Sequence, residues 1–147
     1  TIGAPNVRVG SMSFVDGRVC LVVLHLQGPR GYEFHLWSGS AFEALPELDL
    51  GGDVGYDRAF THNAIGQNLH LIFGRGRGLR HFWRAHNSGT GTWRESVLLA
   101  SDTTGLEMLP ACTVRAGEMY LFYCLKTTSD VSSSRICARV WDQKTET

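Results

Sequence analysis

Apolar and polar positions alternate along this chain in short runs, and the runs recur. Gly17-Arg18-Val19-Cys20-Leu21-Val22-Val23 returns as Gly66-Gln67-Asn68-Leu69-His70-Leu71-Ile72-Phe73 and again as Gly117-Glu118-Met119-Tyr120-Leu121-Phe122-Tyr123. Leu21, Leu71 and Leu121 stand 50 residues apart. A fixed period of this size is the mark of a repeat architecture. Each run follows a shorter strand-like one: Ser11-Met12-Ser13-Phe14-Val15, Ala59-Phe60-Thr61-His62-Asn63 and Ala111-Cys112-Thr113-Val114. The two are joined by a turn at Asp16-Gly17, Ile65-Gly66 or Ala116-Gly117. Asp-Gly between apolar runs is a strong hairpin signal.

After a polar loop of variable length, a third strand ends in tryptophan. It reads Phe34-His35-Leu36-Trp37, Arg80-His81-Phe82-Trp83 and Ile136-Cys137-Ala138-Arg139-Val140-Trp141. This alignment makes Trp37, Trp83 and Trp141 equivalent. A fourth run follows in the first two units, from Ala41 to Leu45 and from Trp93 to Leu99. Phe42 to Leu50 holds helix-friendly residues, but Pro46 interrupts them and the repeat sets the segment opposite Trp93 to Leu99, so it is expected as strand. Four short strands per unit predict an all-β chain, a β-propeller built of four-stranded blades with about three blades present. The chain divides as one domain of three units, about 11–55, 56–105 and 106–147. Residues 1–10, with Asn6-Val7-Arg8-Val9, are expected to supply a strand to a neighbouring blade.

Three blades do not close a ring, and an open stack exposes apolar faces and strand edges. Two explanations follow: a homodimer closing a six-bladed ring, or a companion chain or longer propeller supplying the remaining blades.

Composition adds bounds. The chain has 147 residues, 43% hydrophobic and 19% charged, with 17 glycines for tight turns. Zero formal net charge removes a whole-chain electrostatic case for nucleic acid or an anionic membrane as partner. No apolar run reaches the ~20 residues that span a bilayer. The reading is of a soluble chain. No signal peptide is visible, yet the first residue is Thr, so a removed signal and secretion stay open alternatives. Cys20, Cys112, Cys124 and Cys137 form no C-x-x-C pair, so no structural zinc is expected. They read as buried thiols, with a Cys124–Cys137 cross-strand disulfide as the alternative. No metal and no cofactor are expected.

Aromatic and polar residues share the third strands. Trp37 has Glu33 and His35 nearby; Trp83 has Arg80, His81 and Arg84; Arg135 and Arg139 precede Trp141, and Trp93 opens a fourth strand. Periodic tryptophans cap blade packing, and the same residues suit a sugar platform, where an aromatic face stacks on pyranose C–H groups and polar neighbours bind hydroxyls. Repeated weak sites gain by multivalency. Asp16-Gly17-Arg18-Val19-Cys20-Leu21-Val22, Leu79-Arg80-His81-Phe82-Trp83 with Tyr32-Glu33-Phe34-His35-Leu36-Trp37, and Gly91-Thr92-Trp93 together resemble the blades of bacterial and fungal propeller lectins of the fucose-binding type, whose blade grammar sialidase-type propellers share. The resemblance implies a lectin that binds a glycan or small sugar in pockets between blades. The third unit lacks the Gly-Thr-Trp element.

Two further patterns bear on chemistry. Gly74-Arg75-Gly76-Arg77-Gly78 is no P-loop, since no Gly-Lys-Ser/Thr and no helix follow. With Arg80, Arg84 and His86 it makes a basic cluster suited to a sialylated or sulfated glycan. The alternative to a lectin is an enzyme, a hydrolase, lyase or cyclase, with acid–base residues converging on the central channel. His62, Glu107, Asp57 and Arg58 are its candidates, with Arg115 beside them. No Gly-x-Ser-x-Gly supplies a nucleophile.

Overall fold

The computed structural model describes residues 7–25, 31–49, 60–75, 78–85, 92–96, 106–126 and 134–142. They form eleven strands and no helix among the described residues. Sheet 1 holds β1 (Val7–Val15), β2 (Arg18–His25), β3 (Gly31–Trp37) and β4 (Phe42–Asp49). Sheet 2 holds β5 (Phe60–Ile65), β6 (Asn68–Arg75), β7 (Gly78–Ala85) and β8 (Arg94–Ser96). Sheet 3 holds β9 (Leu106–Arg115), β10 (Glu118–Lys126) and β11 (Ser134–Asp142). All pairings are antiparallel between consecutive strands. The architecture is all-β, with blade-like sheets stacked in series. Phe42–Asp49 is strand, as the repeat requires.

Turn chemistry explains why the first hairpins keep step. Their two-residue loops are 16–17, 66–67 and 116–117. In the first, Asp16 and Gly17 both have positive φ, at 52° and 74°, the pattern of a type I′ turn. Ala116 and Gly117 repeat it at 53° and 85°. In the second only Gly66 is positive, at 56°, which is the type II′ arrangement with glycine first. The second turn is therefore Gly66-Gln67, one residue later than the expected Ile65-Gly66.

Sheet 2 lies between the other two. Leu69, Leu71, Phe73 and Phe82 pack against Val22, Tyr32, Phe34 and Leu36 of sheet 1. Ile72, Leu79 and Trp83 point the other way, against Met119, Leu121, Tyr123 and Trp141 of sheet 3. Every residue from Leu69 to Phe73 is buried. This is the near-continuous burial of a strand covered on both faces. The first strands run side by side, β1 against β5 and β5 against β9. At the β1–β5 contact a β-carbon on Gly10 would fall inside the Phe60 ring, and the register of β1 shifts at that glycine. Thr61 ties β5 to β9, its Oγ1 accepting from the Cys112 amide at 3.3 Å and lying 3.4 Å from Cys112 Sγ.

Strand register corrects three expectations. Val7, Arg8 and Val9 pair with His25, Leu24 and Val23, so this segment lengthens its own sheet and is not lent to a neighbour. Cys124 sits opposite Ile136, whereas Cys137 sits opposite Tyr123. Side chains alternate across a strand, so these cysteines lie on opposite faces of the hairpin, and all four cysteines are free. Burial pushes the Cys20 thiol up to about 12, which makes it inert.

The third correction concerns the tryptophans. Leu21, Leu71 and Leu121 face the same way in the stack, and their partners are His35, Phe82 and Arg139. Counting two residues onward, Trp37 and Trp141 correspond to Arg84, not to Trp83. Trp83 is displaced by one residue and therefore faces sheet 3.

Candidate ligand-binding site

The nine residues proposed to bind ligand fall in three places. The first is the seam between sheets 1 and 2. Trp93 precedes β8 and lays its ring 4.7 Å from that of Phe34, at a 38° tilt. The Arg84 guanidinium lies 5.8 Å above the Trp93 ring. Arg84 is 1% exposed, and burial pushes its guanidinium below the ordinary value while Nε donates to the Ala85 carbonyl at 3.3 Å. Further along the same face, Arg80 and Glu95 form a two-pronged ion pair. The Arg80 guanidinium also covers Phe82 at 5.0 Å. The alternation of β7 accounts for this grouping, since residues 80, 82 and 84 share one face. A half-buried indole, a half-buried guanidinium and an exposed carboxylate thus share one face of sheet 2.

The second place is the seam between sheets 2 and 3. His70 Nδ1 lies 2.9 Å from His81 Nε2, and His81 Nδ1 bonds the Ser96 hydroxyl. One ring donates and the other accepts, so the proton order runs consistently from Ser96 to His70 or back. Trp141 stands edge-on to both rings, 4.7 Å from His70 and 5.3 Å from His81. Trp83 lies 6.3 Å from Trp141, with Arg94 at 5.0 Å over its outer side. His81 and Trp141 are fully buried. Burial, with His70 adding to it, pushes His81 down to about 3. So weak a base suits a neutral polar link in a dry seam better than proton abstraction near pH 7. His70 and Ser96 were not among the expected site residues. The signal for His70 was its place inside the apolar run Leu69 to Phe73.

The third place is the outward face of sheet 1. His35 Nε2 lies 3.3 Å from a Glu33 carboxylate oxygen. Trp37 is half-buried and meets Phe42 edge-on at 5.0 Å.

Of the acid–base candidates, the side chains of His62 and Arg115 are described. His62 is buried on β5 facing sheet 1, and burial pushes it down to about 4, against the opposing effect of the Cys20 backbone. Arg115 is exposed at the end of β9. Asp57 and Arg58 lie outside the described residues, as do the Glu107 side chain and, from the basic cluster, Arg77, His86 and the Arg75 side chain. Among the described residues no group of three or more His, Cys, Asp or Glu side chains is placed to hold a metal ion.

No family model matches the chain, and no curated protein matches it. Among solved structures it is similar to the N-terminal domain of Nup159, at 13% identity and a TM-score of 0.49. The likeness covers 96% of this chain and 41% of that one, so the chain spans about two fifths of the domain it matches.

Proposed function

We propose that this chain is a carbohydrate-binding module of the β-propeller lectin kind, taking a sugar at the outer edge of the seam between sheets 1 and 2. One observation carries the reading: Trp93, half-buried, is held by Phe34 and Arg84 beside the Arg80–Glu95 pair. An indole edge supplies apolar contact for a pyranose, and neighbouring guanidinium and carboxylate groups match its hydroxyls.

Glycan-array screening followed by calorimetry tests this. Trp93→Ala is expected to weaken binding about tenfold or more, as loss of one well-packed aromatic contact does, while Trp37→Ala leaves affinity unchanged. An array without binding by the folded protein overturns the proposal. So does equal sensitivity to both substitutions.

A further inference from the structure

Strand β10 has the composition of a strand buried on both faces, yet it is covered on only one. Met119, Leu121, Tyr123 and Leu125 pack into the seam with sheet 2. The residues between them include Tyr120, Phe122 and Cys124, and these point outward. Phe122 is 43% exposed, and Ile136 and Val140 beside it on β11 are 84% and 51% exposed. In β6 the corresponding outward positions, His70 and Ile72, are fully buried because sheet 3 covers them. The far end of the stack shows the opposite half of the same arrangement. Met12 and Phe14 on β1 are each 69% exposed, on the face equivalent to the one sheet 2 turns toward sheet 1. Leu21 and Val23 on that face are already buried, so its open part is the Met12–Phe14 strip and the Trp37–Phe42 corner.

We propose that the open face of sheet 3 seats on the Met12–Phe14 strip of a second copy, twice about a two-fold axis. Two chains then close a ring of six sheets. The occupant follows from continuity with the two seams inside the chain. Each internal seam joins the outgoing face of one sheet to the incoming face of the next. The described residues leave the outgoing face of sheet 3 open and, on the incoming face of sheet 1, the Met12–Phe14 strip and the Trp37–Phe42 corner, and a second copy carries a mate for each. Two such contacts related by a two-fold axis form a closed set, with neither face left over. Apolar patches of this kind on otherwise polar surfaces mark protein interfaces. The inference is independent of sugar binding, because neither open face includes Trp93 or Arg84.

Light scattering of the purified chain is expected to give twice the 16.2 kDa of one chain. Phe122→Asp and Phe14→Lys change side chains that are exposed in the single chain, so each variant stays folded by circular dichroism. Each alone weakens association by about a hundredfold or more, since a charge is forced into an apolar contact. Mixed together they restore a heterodimer, because one seam keeps both native faces and the other pairs Asp with Lys. A single-chain mass for the native protein overturns the proposal. So does a dimer indifferent to Phe122→Asp, which would mean sheet 1 stacked on sheet 1. Open-ended assemblies, or a ring completed only by a different protein, overturn it as well.

Discussion

Sheets 2 and 3 are built from the same repeat and live in different surroundings. Strand β6 sits between two sheets, and its residues from Leu69 to Phe73 are all buried. Strand β10 alternates buried and accessible positions along its whole length. Their apolar content is similar, so propensity does not separate them. The number of covering neighbours does. Burying an apolar side chain is worth about 1.5–3 kcal/mol, and β10 collects that gain on one face only. A strand's sequence records the faces it is meant to bury, and its structure in one chain records the faces it has found.

The largest test of this difference uses adjacent residues on β11. Trp141 fills the seam against His70, His81 and Trp83, and Val140 points to the open face. Trp141→Ala should cost about 3–5 kcal/mol in urea unfolding. Val140→Ala should change the stability of the isolated chain by less than about 0.5 kcal/mol. Equal costs would mean that the open face is not open.

Acid should act next, and mainly on sheet 2. His81 at about 3 and His62 at about 4 lie below the ordinary value of 6.5. Below about pH 6.5 the unfolded chain takes up protons that the folded chain refuses. Stability is therefore at its plateau above pH 6.5 and falls until the folded groups titrate. Each histidine contributes a slope of about 1.4 kcal/mol per pH unit. Urea midpoints from pH 7 to 4.5 should show it, and His81→Asn should remove about half. An unchanged slope in that variant would place the uptake elsewhere.

The smallest effect compares turns. Sheet 2 uses Gly66 where sheet 3 has Ala116 at a φ of 53°, a region that costs an L-residue about 1–2 kcal/mol. Asn tolerates that conformation and suits a type I′ turn before glycine. Ala116→Asn should therefore raise stability by up to about 1 kcal/mol in thermal or urea melts. A loss would mean that the turn is not the I′ form.

Much of the fold was legible because its signals are local. The 50-residue period, the Asp16-Gly17 turn and the alternation around Leu21, Leu71 and Leu121 need no tertiary information. Phe42 to Leu50 reads as strand because the repeat outweighs its helix-friendly composition, and Phe42–Asp49 is strand. What failed was register. Five residues separate β2 from β3 and two separate β6 from β7, a difference of three, whereas aligning the tryptophans implied four. That one-residue error turned Trp83 toward the wrong sheet, because side chains alternate with a period of two. The same arithmetic set Cys124 and Cys137 on opposite faces. The Ser96–His81–His70 chain was invisible for another reason. Its members come from three strands, and only pairing brings them within reach.

The crossing of tryptophan and histidine at the seam between sheets 2 and 3 also makes this interface visible from outside. Trp141 sits in a dry environment against two imidazoles, while Trp37 is partly wet. A dry indole emits at shorter wavelength than a hydrated one, and a protonated imidazole at its edge quenches it. Loss of the blue part of the emission therefore reports separation of sheets 2 and 3, with no label attached, while sheet 1 is still in place.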